Sequence, residues 1–496
     1  MGFRTVPEWA GAHEAGRRHI TTFRKAVSSA ATAAGDYVDY TYFAGNPVAN
    51  FYASSPLESA LVEQDKGIRL PAGDQWLRDL MVMSAASSAT STTNQNQTLL
   101  LCDYLMYYPF IDTDAVGEEQ VLVNSVSLPR RTTVTQTAEQ CALNTDFKLG
   151  TVAGSPGTPP TNWGVSGAPT GMTREIDFGT DAYGDYLQVR YYGTNTSGST
   201  QYPYVATSNN LVPTVGGETW TISADVALTD GAWPTGAGAQ ITEWSGALSF
   251  LRNGSAQFLT LVTSATPVNV SYARTVGTDA GYAQGQPVML TINNGEAADF
   301  TFRVYNPMFC KRNTPAPYVK ATTARTSISW ERDDDPVKVM CIAQAAASNY
   351  GVFTMRYTNQ DGIPNRISQT TTTKVVNGGG VSVLQPTAAA RAFVDLRIGD
   401  TSVRSIESIT FTAAGGGLMA LVLVQPLTHI QVTQECRRTT SGNLESYGAA
   451  SHLESLIHQV PVKIKDGAVL GFLGQGNAGS LASSILTGVL ATQWGN

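Results

Sequence analysis

Four aromatic residues near the middle of the chain are the leading candidates for a binding site. They are Trp233, Trp244, Tyr202 and Tyr204. The C–H face of a sugar ring stacks on a tryptophan or tyrosine face, while amides and carboxylates bind its hydroxyls. Asp230, Gln240 and Glu243 lie near the two tryptophans and could supply those polar groups. The sequence therefore predicts carbohydrate binding by these four aromatic residues, with core packing of both tryptophans as the alternative.

Three carboxylates close together in the sequence raise the question of catalysis. Asp177, Asp181 and Asp185 flank a glycine-containing turn, and a glycosidase needs two carboxyls at a set separation across a sugar cleft. Nothing in the spacing provides that separation. The sequence also has no HExxH, phosphate-binding loop, nucleophile elbow or dinucleotide fingerprint, and its five histidines have no partner at metal spacing. We therefore predict no enzyme activity and no cofactor.

An acidic run and five cysteines are the remaining candidates for metal or redox chemistry. The run Glu331 to Asp335 has oxygen ligands that calcium accepts, but it matches no calcium-loop motif, and a solvated linker is the favoured interpretation. The cysteines are widely spaced, with no CxxC pair. A disulfide between Cys141 and Cys310 stays open beside the preferred reduced thiols. We predict no metal site.

The composition excludes several kinds of partner. The formal net charge is −7, and the basic residues occur only in short doublets, so no basic stripe exists for nucleic acid. Only 14% of the residues are charged, against about 25% in ordinary globular proteins. No export signal or uninterrupted apolar segment of membrane-spanning length is evident. Few charges and many small polar residues favour a β-rich protein covered by other subunits, as in a virus particle.

The candidate aromatic residues lie in a segment, 141–322, that reads as a self-contained β-sandwich inserted into another domain. Alternation places Trp220, Ile222, Ala224, Val226 and Leu228 on one side of a strand, and Tyr186 to Tyr192 and Phe300 to Val304 repeat the pattern. Trp220 is therefore expected in the core. Insertion of a whole domain is tolerated best in a surface loop.

The residues on either side of this segment predict a second, mainly β domain. Residues 1–75 should form a helix near Pro7 and an extended aromatic arm through Asp36 to Phe43 and Phe51 to Leu57. Residues 76–140 and 323–496 should together form the discontinuous β host domain. Its expected strands and hairpins are Leu99 to Ile111, Val121 to Leu128, Val337 to Ala347, Phe353 to Thr358 returning through Arg366 to Val376, a Ser408 to Val424 hairpin stopped by Pro426, and Ile464 to Leu473 before a short amphipathic element at Leu481 to Trp494.

Two sets of residues carry resemblances to known families. The segment 141–322 resembles jelly-roll modules of the carbohydrate-binding type through Asn144 to Phe147, Gly154 to Trp163 and Asn313 to Val319. The host domain resembles a family of uncharacterised structural proteins of tailed-bacteriophage virions. The residues that carry this second likeness are Met1 to Val6, Phe23 to Lys25, Gly45 to Pro47, Tyr52 to Leu57, Asp103 to Asp112, Ser127 to Arg130, Tyr357 to Gly362, Val403 to Ile406 and Leu421 to Leu427.

These resemblances imply a β-sandwich host domain with short helices plus an inserted jelly-roll β-sandwich. They imply a structural component of a tailed-phage virion, such as a head or neck decoration or an appendage, whose jelly roll binds host-surface glycans. A tail fibre or receptor-binding adhesin is the alternative. The expected partners are other virion proteins, further copies of the chain in a homo-oligomer such as a trimer, and a bacterial surface polysaccharide. The apolar run Leu99 to Ile111 supports the oligomer, because it is long for one small domain to cover.

Overall fold

A computed structural model gives the fold. It describes residues 6–25, 37–39, 68–86, 97–112, 116–117, 119–122, 132–207, 211–253, 265–343, 351–372, 382–383, 392–413, 417–432, 436–438, 444–446, 449–454, 461–476 and 484–494. Several segments predicted from the sequence lie wholly or partly outside these residues. They include Phe51 to Leu57, the ends of Asp36 to Phe43, most of Val121 to Leu128, and the ends of Val337 to Ala347 and Arg366 to Val376. The same holds for residues 414–416 of the predicted hairpin and for the start of the last predicted element, Leu481 to Trp494.

The described part of the chain is mainly β, as predicted. It begins with one helix, α1 (Val6–Glu14), at the predicted position. The strands up to the middle of the chain are β1 (Arg18–Lys25), β2 (Tyr37–Asp39), β3 (Ile68–Arg69), β4 (Gln75–Ala86), β5 (Gln97–Asp112), β6 (Glu119–Val121) and β7 (Thr133–Gln140). The central strands are β8 (Gly164–Val165), β9 (Met172–Asp181), β10 (Gly184–Thr194), β11 (Tyr204–Ala206), β12 (Val212–Pro213), β13 (Thr219–Gly231), β14 (Gly236–Trp244), β15 (Phe250–Asn253), β16 (Val268–Thr275), β17 (Tyr282–Thr291) and β18 (Ala297–Cys310). The last are β19 (Thr326–Asp333), β20 (Lys338–Ala343), β21 (Val352–Asn359), β22 (Arg366–Ile367), β23 (Thr371–Thr372), β24 (Ser382–Val383), β25 (Val403–Ala413), β26 (Gly417–Val432), β27 (Cys436–Arg438), β28 (Leu444–Ser446), β29 (Ala449–Glu454), β30 (Lys463–Ile464), β31 (Val469–Gly476) and β32 (Ser484–Trp494).

Strands β8 to β18 form two sheets that share one core, called here the central sandwich. The "β13 sheet" has the order β16-β13-β18-β10-β9, and the "β17 sheet" has the order β15-β14-β17-β11-β8, with β12 also paired to β17. Alternating side chains of both sheets fill the core between them. The members include Trp220, Ile222, Ala224, Val226 and Leu228 of β13 and Phe300, Phe302 and Val304 of β18. The predicted core position of Trp220 is confirmed, since only 4% of it is exposed.

A two-stranded ribbon connects the central sandwich to the rest of the chain. Strands β7 and β19 are antiparallel, and their register runs from Thr133↔Asp333 at one end to Gln140↔Thr326 at the other. The chain therefore enters and leaves the central sandwich at adjacent points, as an inserted domain requires. The domain boundaries at 141 and 322 stay a prediction.

The strands before and after the central sandwich form the flanking sheets. A seven-stranded sheet has the order β2-β24-β20-β26-β5-β31-β3, and two further sheets have the orders β1-β32-β4-β29 and β22-β21-β25-β6. One apolar core includes Leu80, Leu101 and Phe472, and a second includes Tyr108, Phe353 and Phe411. The predicted alternation of β21 is confirmed, because Phe353, Met355 and Tyr357 are buried.

Part of the apolar run on β5 packs in the flanking cores. Strand β5 lies between β26 and β31. Leu99 and Leu101 belong to the first flanking core, while Met106 and Phe110 belong to the second. These four side chains therefore find apolar partners within this chain, and the oligomer stays a prediction.

The sequence was wrong about the connection after β25. We expected Ser408 to Val424 to form a hairpin, but β25 pairs with β21 and β6 while β26 pairs with β5 and β20. The two strands belong to different sheets that face each other, since Leu421 and Leu423 of β26 pack in the same core as Ile409 and Phe411 of β25. Pro426 also does not end β26, since the ladder is irregular between Pro426 and Thr428 and the strand continues to Val432. The last predicted element, amphipathic in sequence, is strand β32.

Candidate functional site

The outer face of the β17 sheet, on the side away from the sandwich core, carries a row of polar side chains. Ile241 of β14 and Ala283 of β17 point into the core. Side chains alternate along a strand, so the residues beside them point outward. The outward pairs are Gln240↔Gln286 and Thr242↔Gln284. We call these four residues the amide ladder.

Hydrogen bonds connect the amide ladder into a chain across the two strands. Gln240 Nε2 donates to Gln286 Oε1 at 2.5 Å, and Thr242 Oγ1 donates to Gln284 Oε1 at 2.9 Å. A longer contact of 3.5 Å joins Gln286 Nε2 to Gln284 Oε1. Each of the four residues is at most 4% exposed. Their amides are therefore held in fixed orientations and tie β14 to β17 beneath the exposed rim.

Aromatic side chains flank the amide ladder on the same face. Trp244 and Tyr282 are paired in register at one end, and both are half-buried. Trp244 Nε1 donates to Thr242 Oγ1 at 3.2 Å, and its ring meets Phe250 edge-on with 5.6 Å between ring centroids. At the other end Tyr204 pairs with Met289. The whole row extends about 20 Å along the strands, at about 3.3 Å per residue.

A glycine keeps β17 close to the facing sheet beneath the ladder. Gly285 lies between the two ladder glutamines, and its missing side chain would point into the core. A Cβ at Gly285 would lie 2.9 Å from Ile222 Cδ1 and 2.9 Å from Phe309 Cδ2. The sequence Gln284-Gly-Gln286 therefore combines close packing on one face with two amides on the other.

Glu243 holds the edge of the β17 sheet against the β13 sheet. Its carboxylate accepts hydrogen bonds from Arg274 Nε at 2.5 Å, Arg252 Nε at 2.8 Å and the Gly277 amide at 2.9 Å. Burial raises the pKa of Glu243, but the Arg252, Gly277 and Arg274 contacts outweigh it and lower the pKa overall. Glu243 is fully buried and committed to these partners, so it supports the site without presenting a free carboxylate.

The structure separates the four aromatic residues that the sequence grouped. Trp244 and Tyr204 lie on the outer face of the β17 sheet, at opposite ends of the row. Trp233 packs on the sandwich core, 5.4 Å from Phe302 and 6.0 Å from Phe300 between ring centroids. Its Nε1 is buried with no hydrogen-bond partner among the described residues. Tyr202 is 60% exposed, in the loop before β11.

The three carboxylates considered for catalysis all have structural partners in the described region. Asp181 accepts hydrogen bonds from Arg303 and from the Tyr305 hydroxyl, each at 2.9 Å. Asp185 pairs with Lys148 at 2.6 Å, and Asp177 accepts a hydrogen bond from the Phe178 amide at 2.8 Å.

The acidic run and the cysteines also lie in identifiable surroundings. Asp333 pairs with Arg404 at 2.7 Å, and Asp335 contacts Lys465 and accepts a hydrogen bond from the Thr132 amide at 2.6 Å. Cys141 and Cys310 are free, buried thiols. Among the described residues no group of three or more His, Cys, Asp or Glu side chains could hold a metal ion. The helix that the structure describes is too short and too polar to cross a membrane.

Sequence reasoning found one part of this surface and missed the rest. It named Trp244, Tyr204 and Gln240, but not Thr242, Gln284 or Gln286. The missed signal was polar alternation: Gln284 and Gln286 flank a glycine, and Gln240, Thr242 and Trp244 alternate with residues that face the core. Two such runs on adjacent strands, both half polar inside an otherwise apolar sandwich, indicate a polar outer face.

Comparisons with known proteins find similar solved structures at low identity and low TM-score. No family model and no curated protein matches the chain. Similar solved structures include carbohydrate-binding modules of the β-sandwich superfamily, at 13% identity and a TM-score of 0.23, covering 42% of this chain and 98% of theirs. The tripod of the bacteriophage Tuc2009 baseplate is 12% identical with a TM-score of 0.23, covering 49% of this chain and 98% of its own. A tandem carbohydrate-binding domain from Paenibacillus barcinonensis is 9% identical with a TM-score of 0.20, covering 55% and 97%.

Proposed function

We propose that the central sandwich binds a bacterial surface polysaccharide through the outer face of the β17 sheet. The observation that carries this proposal is the buried amide ladder with aromatic side chains at both ends. Stacking on Trp244, Tyr282 or Tyr204 would hold the sugar faces. The ladder residues are each at most 4% exposed and are bonded to one another, so they hold the strands that carry Trp244 and Tyr282. The more exposed rim residues, Trp244 and Phe250 above all, contact the sugar.

We propose further that the chain is a structural component of a tailed-phage virion, such as a head or neck decoration or an appendage. The support is the sequence resemblance of the flanking residues together with the low charge and the mainly β fold. Weak binding by each copy is sufficient on a particle, because many copies raise the effective concentration of sites. No catalytic step belongs to this proposal.

A homo-oligomer, for which a trimer is our working model, stays part of the proposal on a different surface. The outer face of the sheet β1-β32-β4-β29 exposes Ile20 by 49%, Met81 by 44% and Met83 by 54%. Ile20 is on β1, and Met81 and Met83 are on β4, with β32 between these two strands. The three strands are in register at this point, because Val489 of β32 pairs with Thr22 on one side and with Met81 on the other. Exposed apolar side chains on one sheet face favour a surface that binds another subunit.

The sugar proposal is tested with the full-length protein on an array of bacterial surface polysaccharides, followed by calorimetric titration of each ligand found. We expect Trp244→Ala to weaken binding by about two- to tenfold, as the loss of one stacking contact of about 0.5–1.5 kcal/mol does, and Gln284→Ala to weaken it through the loss of the hydrogen bonds that hold the ladder. Tyr192→Ala, on the outer face of the opposite sheet, is the matched control and should bind like the wild type. Equal binding by all three variants would refute the assigned face.

The virion proposal is tested separately by labelling purified particles with antibody against the central sandwich. We expect regular labelling at one location on intact particles. Particles that lack the chain, as judged by mass spectrometry of their proteins, would refute this part without affecting the sugar proposal.

A further inference from the structure

The central sandwich contacts the flanking sheets at a second place, in addition to its connection through the β7–β19 ribbon. Strand β16 is an edge strand of the β13 sheet, and an edge strand has unpaired backbone groups. The Asn269 amide donates to the Asn365 carbonyl at 3.1 Å. The Arg397 guanidinium donates to the carbonyl oxygens of Asn269 and, at 3.4 Å, of Ser271. The flanking residues therefore cover the edge of β16.

Side chains on the outer face of the β13 sheet enter the same contact. Val270 of β16 and Val226 of β13 point into the core, so Asn269, Ser271 and Asp225 point outward. Arg366 Nη1 donates to Asn269 Oδ1 at 2.6 Å and to Ser271 Oγ at 2.9 Å. Asn269 Nδ2 in turn donates to Asp225 Oδ1 at 3.0 Å.

The flanking side of the contact is a buried charge cluster. Arg366 forms a two-pronged pair with Asp400, at 2.8 Å from Nε to Oδ2 and 3.1 Å from Nη2 to Oδ1, and neither side chain is exposed. Asp400 also accepts hydrogen bonds from the Tyr357 hydroxyl at 2.7 Å and from Asn359 Nδ2 at 2.9 Å. We call this set, together with Arg397, the Arg366 cluster.

The base of the ribbon forms an independent anchor. Trp330 Nε1 donates to Asp361 Oδ1 at 3.3 Å, and the Asp333 amide donates to the Gln360 carbonyl at 2.9 Å. Arg404 bridges to Asp333 at 2.7 Å. Two separate contacts fix the orientation of the central sandwich relative to the flanking sheets, whereas the ribbon alone would allow the central sandwich to rotate.

We infer that the Arg366 cluster holds the central sandwich in one fixed orientation, with the outer face of the β17 sheet directed away from the flanking sheets. The two outer faces of a sandwich lie on opposite sides, and the cluster binds the outer face of the β13 sheet. Only the use of this orientation rests on the proposed function: it would present the outer face of the β17 sheet to a large ligand.

The geometry explains why a charged residue serves this contact. The planar guanidinium of Arg366 donates to side-chain oxygens of the central sandwich and to the Asp400 carboxylate at the same time. Because its donors have fixed directions, these hydrogen bonds tolerate little rotation of the sandwich relative to the flanking sheets. Breaking a buried pair on one side leaves a charge without its partner, so partly undocked arrangements are disfavoured. Arg366 is thus a positioning residue for the candidate site.

The test measures distances between spin labels in the full chain. Labels are attached at Asn294→Cys in the central sandwich and Thr412→Cys on β25, both exposed positions, in a Cys436→Ser background. We expect a single narrow distance distribution for this protein. Arg366→Ala should convert it into a broad or multiple distribution, while thermal unfolding still shows the transition of the central sandwich.

Because Arg366→Ala removes the partner of buried Asp400, the decisive variant is Asn269→Ala, which changes only the sandwich side. It should broaden the distribution with Asp400 still paired. Asp177→Ala, on the far strand β9 of the same sheet, is the control and should leave the distribution narrow. A broad distribution in the starting protein, or a narrow one in Asn269→Ala, would overturn the inference. These outcomes do not depend on sugar binding, so failure of the orientation and failure of the proposed function are distinguishable.

Discussion

Trp233 and Trp244 should respond to substitution in opposite ways. Trp233 packs on Phe300 and Phe302 of the core, whereas Trp244 lies on the outer face of the β17 sheet with one hydrogen bond and one edge contact. Replacing a fully buried tryptophan by alanine costs about 3–5 kcal/mol. Trp233 is half-buried, so we expect about 2 kcal/mol from Trp233→Ala. For Trp244→Ala we expect at most about 1 kcal/mol.

The assay is thermal unfolding of the full chain, with hydrogen exchange of β14, β17 and β18 to assign the transition to the central sandwich. For a domain of this size 1 kcal/mol shifts the melting temperature by about 2–4 °C. Trp233→Ala should therefore lower it by about 4–8 °C and leave sugar binding intact below the transition. Trp244→Ala should lower it by less than about 4 °C and weaken binding.

Conservative variants sharpen the comparison. Trp233→Phe keeps a ring on the core and removes an N–H that has no partner, so it should cost much less than Trp233→Ala. Trp244→Phe keeps a stacking face and should retain part of the binding. The reasoning is refuted if Trp244→Ala is the more destabilising of the two alanine variants, or if Trp233→Ala abolishes binding in protein that is still folded.

Three further predictions follow from the described contacts. Glu243→Gln should lower the free energy of unfolding by about 2–3 kcal/mol at neutral pH, because it weakens a buried pair with two arginines; since the pKa of Glu243 is lowered in the folded state, that difference should vanish as pH falls through its folded pKa, which urea titrations at several pH values measure. Desolvation raises the pKa of Cys141 from 9.0 to about 11, so its neutral thiol favours folding below pH 9 and this contribution is lost as pH rises to about 11; Cys141→Ala should therefore lose less stability than the wild type over that interval, and an equal loss would contradict the assignment. Met83→Asp should reduce self-association in sedimentation velocity, with Val134→Asp on the exposed ribbon as control, and a wild-type monomer at micromolar concentration would contradict the proposed oligomer.

The sequence predicted the fold class and the alternating strands because those depend on local patterns. Strand β13, with Trp220 to Leu228 facing the core, and strand β21, with Phe353 to Tyr357, follow from period-two burial alone. The partners of a strand depend on contacts far along the chain. The predicted hairpin from Ser408 to Val424 failed for that reason, since both strands have the right pattern but belong to different sheets.

The candidate site shows the same limit. Trp233 follows a strand in a loop, where the sequence does not indicate whether its ring faces solvent or the core, whereas Trp244 ends strand β14, where alternation with Gln240 and Thr242 indicates the outer face. The amide ladder arises from the register of β14 and β17, which are separated by β15 and β16 in the sequence. The Arg366 cluster joins residues about 100 positions apart, and no local pattern of the sequence indicates that Asn269 meets Arg366.

The most direct test of the central claim is hydrogen–deuterium exchange of the full chain with and without a polysaccharide that it binds. If the outer face of the β17 sheet binds the polysaccharide, exchange should slow only in residues 236–244, 282–291 and 204–206, the strands that carry the amide ladder and its aromatic rim. Exchange of residues 172–181 and 184–194, on the opposite sheet, should not change. Protection of those two strands instead, or no protection anywhere in the central sandwich while the polysaccharide is bound, would contradict binding by the outer face of the β17 sheet.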